Sequence, residues 1–188
     1  MKKRSRKDTR SKITPVQLLK AAIATRHRSQ VEISGLRGTL GDKSARQVLL
    51  ETTGDINNAA VISEIGKLQV FAEMLPRRIA FKEKEYVNVE ENLVQATNDF
   101  IREHLDPRVR NLAMRTRMMV EKELSHQFRD PAILIRAVAQ SDRVRSIARL
   151  DWPVSLQPER GAMAHAEGAL KAWAAVDEFE TTLPLKAA

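Results

Sequence analysis

The chain has 188 residues, 43% of them hydrophobic, and 32 Lys and Arg against 24 Asp and Glu give it a formal charge of +8. Aromatics make up only 4%, Gly and Pro number seven each, and Cys is absent. That composition argues against a β-sandwich or barrel, and it excludes a disulfide framework, a Cys-ligated zinc site and thiol catalysis. No apolar run reaches the roughly 18 residues that a membrane span needs. The expected product is a soluble all-α protein with a multi-helix core, a basic N-terminal arm over 1–13, a core domain over 14–150 and a semi-detached C-terminal helix within 151–188.

The arm opens with Lys2, Lys3, Arg4, Arg6, Lys7, Arg10 and Lys12, uninterrupted by apolar residues after Met1. It cannot collapse onto a core by itself. The apolar stretch that follows is short and contains Lys20, unlike a secretory signal. Thr14-Pro15-Val16-Gln17 has the form of a capping box with Pro at the first helical position, predicting a helix to about Gln30. Lys20, Arg26, His27 and Arg28 carry the basic character of the arm into it.

Gly35, Gly38 and Gly41 follow at a period of three and read as a flexible connector. Gly35-Leu36-Arg37-Gly38 matches the GxxG loop by which KH domains clamp a nucleic-acid backbone, but no three-stranded sheet is predicted around it. A short helix over about 43–52 is expected behind Asp42, then a helix over 56–75 capped by Asp55. The latter is apolar on most of its circumference, which marks it as the centre of the core. Pro76 is expected to break it, and residues 77–87 alternate enough for a short strand or hairpin arm.

Asn88 with Glu91 predicts the next cap. Val89, Leu93, Ala96 and Phe100 then step by four, three and four along a helix to about Leu105, a heptad seam suited to a homo-oligomer. Asp106-Pro107 and Asp130-Pro131 repeat one signal, an acidic cap followed by Pro, and predict helices over about 108–128 and 132–149. Trp152-Pro153 closes this series. An Ala-rich last helix over about 160–178 is expected either to dock on a neighbouring subunit or to close the core of its own.

Charge is unevenly placed. Residues 1–30 carry ten basic and one acidic side chain, and residues 107–150 carry ten basic and four acidic. Residues 31–106 have nine basic and thirteen acidic side chains, and residues 151–188 have three and six, so the two basic segments hold the whole excess. In 107–150 Arg outnumbers Lys nine to one, a preference suited to bidentate contact with phosphate. On a helix from Pro107, Arg108, Arg115, Lys122 and Arg129 recur every seven residues and form one ridge. Arg110 and Arg117 lie about opposite on the helix.

No enzyme signature appears. The chain lacks the phosphate-loop motif and the G-x-S-x-G elbow. Glu123 and His126 form a single ExxH step where a helical di-iron site needs two. No metal or cofactor is therefore expected.

The sequence points to a non-enzymatic, oligomeric nucleic-acid-binding protein of packaging, coating or nucleoprotein type. It would contact the DNA or RNA backbone through Lys2, Lys3, Arg4, Arg6, Lys7, Arg10, Lys12, Arg26, Arg28, Arg108, Arg115, Lys122 and Arg129. Its setting would be the cytoplasm or the inside of a virus particle, away from membranes. The alternative is a helical adaptor in a larger protein assembly, its arm docked on an acidic protein.

Overall fold

The computed structural model describes residues 13–55, 57–148 and 160–182. The arm residues 1–12 and the linker residues 151–159 lie outside the described residues. Every regular element among the described residues is helical: α1 Pro15–Thr53, α2 Ala59–Phe100, a π-helical segment Ile101–Leu105, α3 Asp106–Leu124, α4 Pro131–Gln140, α5 Asp142–Ala148 and α6 Ala162–Thr182. No described helix is long and apolar enough to cross a membrane. Contacts divide the chain not at the Pro-flanked linker but into Ala22–Gln95 on the one hand and Met1–Ala21 with Ala96–Ala188 on the other.

The Ala22–Gln95 unit is an antiparallel helical hairpin. Helix α1 faces α2 with Arg26, Ser29, Ile33, Leu36, Leu40, Lys43, Gln47 and Leu50, at alternating steps of three and four. Helix α2 answers with Val61, Ile65, Leu68, Leu75, Ile79, Lys82, Tyr86, Val89 and Leu93 in the same rhythm, with Ala72 in register between Leu68 and Leu75. This continuous heptad overrides the local breakers. Pro76 stays inside α2 because Leu75 and Ile79 on either side of it are buried in the seam, and residues 77–87 are helix rather than strand. The three glycines and the expected 43–52 helix are likewise interior to α1, and Asn88 is interior to α2.

Ion pairs staple the hairpin: Arg26–Glu90 at 2.6 Å, Arg37–Glu83 at 2.6 Å, Lys82–Glu32 at 3.3 Å and Arg46–Glu64 at 3.1 Å. Burial and a hydrogen bond donated to Glu90 raise the Tyr86 hydroxyl above the usual tyrosine range. At the turn the cap is Asn58, whose side chain accepts from the Ala60 N–H at 2.9 Å. Asp55 instead closes the preceding turn by accepting from Asn57.

The turn and the helix treat glycine differently. A Cβ on Gly54 would collide with the Leu50 carbonyl oxygen and stand 2.8 Å from Val61 Cγ1, whereas at Gly35, Gly38 and Gly41 it would meet nothing within 4 Å. Gly38→Ala should therefore stabilise the protein by about 0.5–1 kcal/mol through helix propensity, while Gly54→Ala should destabilise it. Thermal unfolding of the two variants checks both signs.

The second unit is a helical bundle. Its entry is the expected capping box: the Thr14 N–H donates to Gln17 Oε1 at 2.8 Å and the Gln17 N–H to Thr14 Oγ1 at 3.3 Å. Asp130 caps α4 as predicted, accepting from the Ala132 N–H at 2.8 Å in an extended conformation. The matching signal at Asp106-Pro107 acts otherwise. Phe100, Leu105 and Asp106 all keep helical dihedrals, and the Asp106 N–H reaches back to the Ile101 carbonyl. The wider π turn takes up the imino residue without ending the helix.

Helix α6 closes this core. Ala166, Ala169 and Val176 are fully buried, and the α6 contacts run to the π segment and α3 of the same chain. Of the two placements open to this helix, the structure takes the one within its own subunit. Of the four seam residues, Leu93 and Phe100 are 1% and 4% exposed within the chain, Val89 and Ala96 are half-buried, and the Phe100 ring tilts against Trp173 of α6 at 5.3 Å.

Candidate nucleic-acid interface

Helix α3 supplies the cations of the bundle. Leu112, Thr116 and Val120 are its buried line, with Val109, Ala113 and Met119 half-buried beside it. The opposite face carries Met114 and Met118, 57% and 62% exposed. At 3.6 residues per turn, Arg110 and Arg117 flank that pair on one side, and Arg115 and Lys122 flank it on the other. All four cations are exposed, and none forms an ion pair among the described residues. The helix backbone holds them at fixed spacing.

The predicted ridge is thus only partly on the surface. Arg108 turns into the bundle, where its guanidinium bonds Asp177 and Glu180 of α6 and stacks 4.3 Å over the Trp173 ring. Partial burial opposes its charge, but the bonds to Glu180 and Asp177 outweigh that and hold Arg108 above its ordinary value. Helix α3 ends at Leu124, so Arg129 lies beyond it, exposed in the connection to α4. Arg115 and Lys122 remain on the helix face.

In the hairpin, Arg26 is engaged by Glu90 and lies 5.6 Å from the Tyr86 ring centroid, whereas Arg28 is exposed. Lys2, Lys3, Arg4, Arg6, Lys7, Arg10 and Lys12 lie outside the described residues. Arg110 and Arg117 lie opposite the ridge by spacing and are not among the cations that the sequence assigns to binding. Their signal was the same seven-residue step, two residues out of phase with Arg108 and Arg115.

Glu123 accepts from Arg143 Nη1 through both carboxylate oxygens at 3.1 Å, and His126 falls in the turn after α3, so the ExxH step does not sit on one helix. Among the described residues no group of three or more His, Asp or Glu could hold a metal ion. His165 of α6 is buried and meets Asn98 Oδ1 at 2.9 Å through Nε2. Comparison with known protein families, with characterised proteins and with solved structures returns no match.

Proposed function

We propose that this protein binds DNA or RNA through the phosphate backbone, without catalysis and with little sequence preference. The observation that carries the reading is the outer face of α3, where Arg110, Arg115, Arg117 and Lys122 stand exposed and outside every described ion pair. Arg26 and Arg108, both partly buried, are paired with acids, whereas the four α3 cations are exposed, form no ion pair among the described residues and outnumber the one acid on their face, Glu121; that excess of positive charge calls for an external anion. The seven Lys and Arg within residues 2–12 add the charge density that a polyanion rewards by counterion release.

Aromatic side chains are few, and Trp173 and Phe100 are spent on each other in the bundle. Base stacking is therefore a small part of the affinity, and phosphate contacts position the protein without reading sequence. Met114 and Met118 between the cations add adaptable apolar contact to sugar edges.

Single Ala substitutions at Arg110, Arg115, Arg117 and Lys122 test the reading. Each should lower the slope of log K against log salt by about one, equally for unrelated sequences. Slopes unchanged across all four variants would remove α3 from the interface.

A further inference from the structure

The hairpin leaves a second stripe uncovered. On α2, Lys67, Phe71, Met74, Arg78, Phe81 and Glu85 step by four, three, four, three and four, the same rhythm as the buried seam but offset from it around the helix. Its apolar members are open: Phe71 is 42% exposed even with Lys43 Nζ 4.0 Å over its ring, Met74 is 63% and Phe81 60% exposed, and Val70 beside them 55%. Large apolar side chains repeating on one helix face mark an interaction surface rather than scattered exposure.

We infer that this stripe is a dimer interface, in which two copies of the chain pair their α2 helices antiparallel about a twofold axis beside Pro76. The stripe reads as its own complement when reversed. In that register Lys67 meets Glu85 of the partner subunit, Phe71 meets Phe81 of the partner subunit, and Met74 meets the stem of Arg78 of the partner subunit. A parallel approach would set Lys67 and Glu85 each against its own copy, so the charges select the antiparallel one. A twofold axis makes the contact isologous and closed, as a dimer needs.

The composition of the hairpin seam argues for the same occupant. Arg26, Ser29, Lys43 and Gln47 take half of the α1 seam positions and Lys82 one on α2, so polar side chains interrupt the apolar layer between the two helices. Pairing two hairpins adds a second apolar layer and makes a four-helix arrangement, a packing in which such helices bury a full core. The inference stands independently of nucleic-acid binding.

The chain lacks cysteine, which makes cross-linking selective. Positions 67 and 85 on one α2 lie about 27 Å apart, too far for a disulfide within a helix. A mixture of the full-length Lys67→Cys and Glu85→Cys proteins under mild oxidation should yield the heterodimer, while each alone yields little. In native mass spectrometry the unmodified protein should be a dimer. Phe71→Glu with Phe81→Glu should raise its dissociation constant by at least about a hundredfold, with helicity retained, because it buries charge in place of aromatic rings. A monomeric wild-type protein, a dimer that survives the double substitution, or equal cross-linking of Lys67→Cys alone would each overturn the proposal. Should the double Glu variant unfold, the cysteine mixture still decides.

Discussion

Deleting residues 1–12 should flatten the slope of log K against log salt by up to about six, the largest effect any single change here is expected to have on binding. The segment holds seven Lys and Arg and one Asp. Each cation seated on a phosphate releases close to one counterion, so the loss appears in the salt slope as well as in the affinity at one salt concentration. The weak binding that remains should belong to α3 and respond to Ala at Arg110 or Arg117. An unchanged slope after the deletion would make the arm a bystander, and the bundle would then have to account for binding alone.

Truncation after Leu150 should cost the bundle its cooperative fold. The cut removes α6, whose Ala166, Ala169 and Val176 are fully buried and whose Trp173 covers Phe100. It also strands Arg108, whose half-buried guanidinium then has neither Asp177 nor Glu180 to bond. Losing both partners of a desolvated cation and one wall of an apolar core are each among the few mechanisms that destabilise by several kcal/mol. Far-UV circular dichroism should therefore fall by much more than the 21 residues of α6 can explain. A loss in proportion to the residues removed, with a sharp melting transition kept, would show that α6 is dispensable to the bundle.

The parts of this fold that are legible in the sequence are those settled within one helical turn. The Thr14–Gln17 capping box and the Asp130-Pro131 start depend on side chains reaching backbone groups two or three residues away, and both form as read. The errors arise where longer-range packing outweighs a local signal. Pro76 and the glycines at 35, 38 and 41 are ordinary breakers, yet a heptad running the length of α2 and its counterpart on α1 hold the helices through them. That heptad was visible only over Val89–Phe100, because Lys82 and Tyr86 occupy seam positions further up and interrupt the apolar pattern. Their polar heads are satisfied by Glu32, Glu85 and Glu90, which no pattern of hydrophobicity records.

The same reason divides the candidate site. A seven-residue Arg repeat says which cations share a helix face, but not which of them find an acid from another element. Arg108 and Arg115 are equivalent by spacing, yet only Arg108 faces Asp177 and Glu180 on α6, 69 and 72 residues along the chain. The circumference of the 56–75 segment misled in the opposite direction. Apolar residues all round suggest burial on every side, whereas among the described residues of the segment only Leu68 and Leu75 are buried, and Val70, Phe71 and Met74 are exposed.

The central claim is phosphate-backbone binding, and fluorescence anisotropy of the full-length protein with labelled duplexes of unrelated sequence, titrated at several salt concentrations, tests it most directly. The account predicts binding to every duplex with similar affinity at a given salt, and a steep linear fall of log K with log salt. Absence of binding to both DNA and RNA at low salt would contradict it, as would an affinity that salt leaves unmoved.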